Sequence, residues 1–450
     1  MISSGTAKAD MSHREAAQPQ LAATGSQRPT RVRYSILVLG FSVGLVMYLD
    51  RTCMGFVITK TMSEFGVDKI TMGWSVSAFN WMYSLFQVPG GWLADRFGSR
   101  IVLAVAIAWW SIFTAATGSA FGPGSLAIMR GLFGMGEAAA WPAASRSLLP
   151  WLPARQRAFG QGFQHSGSRL GAALTPALAV SIMAHSGWRS VFYVFGAIGL
   201  VVAVSWYWYY RDRPQEHRSV NQAELSLLDS ARRPPSVRRA VPWARILRSR
   251  DLRCLSIMYF CYGWVFWMYM TWLPTYLAEQ RHFSLPQIGL GASLPLIAGT
   301  AMNITGGWLS DRLARAWGDL RRGRTLVARV GFAVAAVAMV LGVLAESPVA
   351  GLACLTLAMA GLELTVPVAW ALCLDLAGDF SGSVTGVMNS FGNLGGAISS
   401  VVIGYLSTKF GWTEAFVVCS VFCCFAAVLV RRVDPNRSAV EELQAASVKS

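Results

Sequence analysis

Asp50 and Arg51 stand side by side inside the apolar stretch "LVMYLDRTCMGF", residues 45–56. A second stretch, "MRGLFGMGEAAAWP" at 129–142, carries Arg130 and Glu137. A spacing of seven puts those two on one helix face, about 10 Å apart along the axis. Gly131, Gly134 and Gly136 let a neighbouring backbone come close. A charge at the centre of a membrane helix costs roughly 2.5–3.5 kcal/mol on insertion scales, so four of them must face each other or water. Two buried structural ion pairs would stabilise nothing that apolar pairs could not. The chemistry these types can do is different. Arg51 and Arg130 offer planar, permanently charged forks that match a carboxylate. Asp50 and Glu137 are acids that can take a proton on one side of a cavity and release it on the other. The pattern reads as an anion site beside a proton site. Glu137, flanked by Gly136 and Ala138, is the expected main coupling acid, with Asp50 in support.

That reading needs lipid as the solvent, and the composition supplies it. The 450 residues are 54% hydrophobic and 14% charged, with a mean hydropathy of +0.43, where soluble domains carry about 25% charged residues. The length suits about twelve spans of about 20 residues. Apolar runs fall near 34–59, 71–94, 101–120, 124–149, 158–184 and 189–210, then near 254–278, 287–310, 325–345, 349–376, 383–408 and 412–431. The expected organisation is an N-terminal tail at 1–33, a six-helix half at 34–210, a central loop at 211–253, a second half at 254–432 and a tail at 433–450. The net charge of +16 gathers in the N-terminal tail, near 146–157, in 211–253 and near 312–329, while "GSAFGPGS" at 118–125 has no basic residue. This is a topology signal that puts both termini in the cytoplasm, not a nucleic-acid footprint. The polar start shows no cleaved secretory signal, so the first span serves as its own insertion signal. The eight Cys lack metal-ligand spacing and read as packing residues, the adjacent Cys423 and Cys424 included.

Two internal matches reveal a duplicated unit. "GGWLADR" at 90–96 returns as "GGWLSDR" at 306–312, an offset of 216, and "GWRSVFYVFG" at 187–196 returns as "GWTEAFVVCS" at 411–420, an offset of 224. The members of each pair hold the same position in their six-span blocks. Parallel repeats of this kind place a transport site near the midplane, between the halves.

The motif "GGWLADRFGSR" resembles the signature loop of the major facilitator superfamily, and the resemblance extends over about 34–432. It implies an all-α membrane protein of twelve transmembrane helices in two pseudo-symmetric six-helix halves. It also implies gating elements at Gly91, Asp95, Arg96 and Arg100, echoed at Gly307, Asp311 and Arg312. "YLDR" at 48–51, taken with "RGLFGMGEAAAWP", resembles the anion:cation symporter family of bacterial sugar-acid and aromatic-acid permeases, sialin and the vesicular glutamate carriers. This implies proton-coupled uptake of an organic anion, most of all a sugar acid such as a hexuronate, aldonate or aldarate. Arg51 and Arg130 would hold the substrate carboxylate and Asp50 and Glu137 would carry protons. Tyr48, Tyr83, Gln164, Trp370 and Asn393 would line the cavity. Met47 departs from the Asn that the family often has there. Arg169 aligns with Asn393 through the shared "LG" pairs at 170–171 and 394–395, where the family has small or polar residues; it marks a second substrate carboxylate. Glu363, seven residues before Trp370, would contact sugar hydroxyls or pair with Arg169. His165 is read as a satisfied polar residue or a pH sensor.

Other chemistries lack their residues. Of the 39 Lys and Arg only five are Lys (Lys8, Lys60, Lys69, Lys409 and Lys449), none after a glycine or in mid-span, which excludes a phosphate-binding loop and a retinal linkage. No HExxH or GxSxG motif is present, so no enzyme is expected. The competing readings are an exporter of drugs or metabolites on the same fold, a phthalate-type permease, and a transport-like sensor, for which the central loop is short. The expected partners are a small organic anion, protons and the bilayer. No metal or organic cofactor is expected, only a proton gradient, and the monomer is the expected working unit. The Arg-over-Lys bias suggests a GC-rich bacterium and hence its inner membrane.

Overall fold

In lipid every backbone amide must find its partner within the protein, which leaves the helix as the solution for long apolar runs. The computed structural model describes residues 28–67, 69–229 and 241–435. Most of both expected tails (1–27 and 436–450) and part of the central loop (230–240) lie outside the described residues.

The first half runs α1 Val32–Phe65, α2 Lys69–Phe97, α3 Ser99–Thr117, α4 Pro123–Glu137, α5 Ala140–Ser147 and α6 Arg157–Tyr209. The central loop holds the short helices α7 Gln222–Asp229 and α8 Trp243–Arg248. The second half runs α9 Arg250–Glu279, α10 Leu285–Trp317, α11 Leu320–Leu344, α12 Pro348–Glu363, α13 Val366–Ala377, α14 Ser381–Lys409 and α15 Trp412–Val430. Among the described residues, seven helical stretches are long and apolar enough to cross a membrane by length and composition, and two of them, of 56 and 62 residues, have length for two passes each.

Two apolar runs differ from their simple reading and two others meet end to end. The runs 158–184 and 189–210 are two helices set end to end within α6 and parted at Gly187, where φ is 78° and ψ 170°. The runs 124–149 and 349–376 each break, after Glu137 and after Glu363. Proline explains both breaks. Pro142 and Pro367 lack the N–H that would bond the carbonyl four residues earlier, at Ala138 and Glu363. The break leaves each glutamate at the end of a helix in the middle of the bundle.

The halves meet at the end that bears the repeated motif. A Cβ on Gly91 would lie 2.2 Å from Gly382 O, and one on Gly307 would lie 2.2 Å from Ala158 O, so both crossings need glycine. Asp95 accepts from Gly382 N at 2.9 Å, Ser383 N at 2.7 Å and Arg146 Nε at 3.0 Å. Asp311 accepts from Phe159 N at 2.7 Å and Arg324 Nη1 at 2.6 Å. Each aspartate therefore caps the first turn of a helix in the opposite half, α14 or α6, where backbone amides attract negative charge. Asp375 adds a third link, accepting from Arg157 at 2.9 Å and Arg324 at 3.2 Å. Arg96 and Arg312 lie over Trp92 and Trp308 of their own helices, at 5.2 and 5.1 Å. Arg100 donates to Tyr207 O at 3.0 Å within its own half. The same end carries the central loop: Asp212 accepts from Ser99 N at 2.7 Å, and Asn221 donates to Arg28 O at 2.8 Å.

Gly162 of α6 shows how tight the seal is, since a Cβ there would lie 2.0 Å from Asn303 O of α10. Gly162→Leu should hold these helices apart. A spin-label distance between α6 and α10 at the motif end should lengthen. An unchanged distance would contradict the packing.

Candidate functional site

Midway along the bundle, between the halves, lies a cavity with about 440 Å³ of space not filled by protein, part of it open to solvent. Arg51, Tyr83 and Arg169 line it from the first half, and Tyr262, Trp370 and Asn393 from the second.

Arg51 reaches it from α1 and turns both Nε (2.9 Å) and Nη2 (2.5 Å) onto Glu137 Oε1. Its guanidinium carbon lies 4.6 Å from the Tyr83 ring centre and 5.1 Å from those of Tyr48 and Phe79, so aromatic faces hold the cation in place. Glu137 is fully buried behind it, and its Oε2 has no hydrogen-bond partner. An orphaned carboxylate oxygen of this kind costs on the order of 1–3 kcal/mol or more, and a proton removes the charge that makes it costly.

Asp50 does not join its sequence neighbour. Successive helix positions point in different directions, and Asp50 turns to α3, where Trp110 Nε1 donates to it at 3.0 Å. Arg130 shares the helix of Glu137, as the spacing predicts, but it is buried off the cavity wall. It lies over Phe133 at 4.4 Å and Phe79 at 5.2 Å, with Nε and Nη1 unpartnered. Gln164 is likewise buried off the wall, packed against Gly40 of α1, with both amide atoms unpartnered.

A second pair crosses between the halves. Arg169 Nη2 donates to Glu363 Oε1 at 3.0 Å and to Tyr262 Oη at 2.9 Å. Glu363 also accepts from Tyr262 Oη at 3.0 Å and from Asn303 Nδ2 at 2.6 Å. Of the two expected partners, Glu363 takes Arg169. Trp370 donates to Tyr259 Oη at 2.8 Å, Asn393 to Asn389 O at 2.8 Å, and the His165 ring stacks on Trp141 at 4.0 Å. Tyr262, Asn303, Trp110 and Trp141 were not among the expected site residues. Asn303 had a signal, a lone amide in the apolar run before the second motif. Tyr262 sits in "YFCYGWVFWMYM", where its aromatic neighbours mask it. Among the described residues no three His, Cys, Asp or Glu side chains gather as metal ligands would. The eight cysteines are all unpaired, with Cys423 buried and Cys424 exposed.

The sequence matches the family model of the Major Facilitator Superfamily over residues 40–400 and 381–449. A probable sulfoacetate transporter of Cupriavidus necator is 36% identical over 386 residues, which cover 85% of this chain and 89% of that one. A D-galactonate transporter of Escherichia coli is 30% identical over 416 residues, covering 89% and 95%. Among solved structures, the human organic anion transporter MFSD10 superposes with a TM-score of 0.72 at 16% identity, covering 89% of this chain and all of that one. Helical architecture, duplicated motif and sequence agree: the chain belongs to the Major Facilitator Superfamily, a multi-pass membrane transporter fold.

Proposed function

We propose that the protein is a secondary active transporter that takes up a small organic anion together with protons. The observation that carries this reading is the Arg51–Glu137 pair, a cavity-facing cation whose partner carboxylate is fully buried. An incoming carboxylate matches the fork of Arg51. Once it takes that fork, Glu137 stands as an isolated buried charge until a proton from the cavity neutralises it. Closing the cavity around a neutral Glu137 then moves anion and proton together. Asp50, buried nearby in the same half, serves in support, and Arg130 supplies a reserve of positive charge behind the pair.

The relatives named for sulfoacetate, D-galactonate and galactarate or D-glucarate all carry small acids by their names. A sugar acid fits the tyrosine hydroxyls and Asn393 on the wall. Trp141 and His165, stacked on each other with Trp370 tilted against them, favour a second reading, a flat aromatic acid. We place the motif end, with its basic loops, in the cytoplasm of a bacterial inner membrane. The cavity then faces outward, and the Asp95, Asp311 and Asp375 contacts act as the inner gate. The working unit is a monomer.

Arg51→Lys keeps the charge and loses the fork, so substrate affinity should fall about tenfold or more, nearly as far as in Arg51→Ala. Binding to the Lys variant at wild-type strength would contradict a bidentate site. Glu137→Gln mimics the protonated acid. It should still exchange substrate in counterflow and should lose accumulation under an imposed pH gradient. Proteoliposomes report both, and continued accumulation would remove Glu137 from the coupling role.

A further inference from the structure

The Arg169–Glu363 pair repeats the plan of Arg51–Glu137. In each, a guanidinium lines the cavity and a fully buried glutamate stands behind it, as the last residue before a helix break. The cations are close to each other. The centre of the Tyr48 ring lies 5.1 Å from the Arg51 guanidinium carbon and 5.7 Å from that of Arg169. Tyr48 Oη also accepts from Arg169 Nη1 at 3.4 Å. One tyrosine thus sits against both forks, and a molecule a few carbons long reaches both.

Charge balance then sets a rule. With both pairs intact, the two arginines and two glutamates sum to zero. Each acidic group that takes an arginine leaves one buried carboxylate without its cation. A dianion would leave two.

Glu363 is equipped to accept a proton. The groups that face it are Arg169 from α6, Tyr262 from α9 and the neutral amide of Asn303 from α10. His165, Tyr48 and Tyr259 line the same cavity beyond Arg169. When Arg169 Nη2 passes its hydrogen bond from Glu363 Oε1 to a substrate oxygen, a proton from the outer solution, relayed by cavity water, binds Oε1. The Tyr262 hydroxyl, which both donates and accepts, then turns to accept that O–H. Asn303 continues to donate to Oε2. The Tyr262 O–H, released from Oε1, then turns to donate to the substrate.

We propose that Arg169 and Glu363 form a second anion-and-proton subsite, so that the carrier takes small acids with two anionic groups and moves one proton for each group. This rests on the uptake reading above and extends it to substrate valence and proton count.

The test compares galactarate and galactonate, which share a six-carbon skeleton and differ in one carboxylate. Protons moved per substrate are measured in proteoliposomes from the pH gradient that nulls a fixed substrate gradient. The expected counts are two for galactarate and one for galactonate, with the galactarate count falling to one in Glu363→Gln. Arg169→Gln should weaken galactarate binding roughly tenfold to a hundredfold, the loss of one charge-assisted hydrogen bond, and by more than it weakens galactonate binding. One proton with both acids in the wild type overturns this proposal and leaves proton symport standing. Transport of both acids without protons, or of neither, overturns the uptake reading and this proposal with it. If Glu363→Gln does not fold, the wild-type counts decide.

Discussion

A carboxylate buried in a membrane protein is costly unless an opposite charge lies against it, and the Arg51–Glu137 and Arg169–Glu363 pairs of this molecule answer that constraint. An isolated carboxylate in a low-dielectric interior is so costly that it changes its protonation state instead. Glu137 and Glu363 are both fully buried and each has one arginine. Those arginines are also what an anion would seek. In the function we propose, the constraint that makes the pairs tolerable at rest is what ties anion binding to proton binding once a pair is opened.

The fold serves this arrangement at two levels. Proline-induced breaks end α4 and α12 at the glutamates, holding both carboxylates at mid-bundle. At the motif end, aspartates from each half cap helices of the other, and glycine crossings bring the backbones into contact. The named links across the halves are therefore gathered at one end and at the centre. Arg169 and Glu363 form the central one, at the cavity itself, so the candidate site and the contact between halves share the same side chains.

Much of this was legible in the sequence, for physical reasons. Lipid demands long unbroken apolar runs, so hydropathy locates helices well. Duplication leaves a local signature because the Gly and Asp of "GGWLADR" and "GGWLSDR" meet steric and capping needs that other residues do not. The identity of the charges near the site was legible too, but not their pairing. Spacing along α4 put Arg130 and Glu137 on one face; the long Arg51 side chain reaches across from α1 to take Glu137 instead, and α3 took Asp50 through Trp110. Arg146 and Arg324 sit in basic runs that read as topology signals, yet they pair with Asp95 and with Asp311 and Asp375. A charge near a helix end serves topology and tertiary contact alike, and only its neighbours in space separate the two.

The central claim is that a bound acid group takes Arg51 from Glu137 and that Glu137 then takes up a proton. Calorimetric titration of the purified protein with galactonate, repeated in buffers of different ionisation enthalpy, reads the protons taken up on binding. The account predicts an uptake approaching one proton per molecule bound near neutral pH, lost in Glu137→Gln while binding persists. Binding with no proton uptake in the wild type, or with the same uptake in Glu137→Gln, would contradict it.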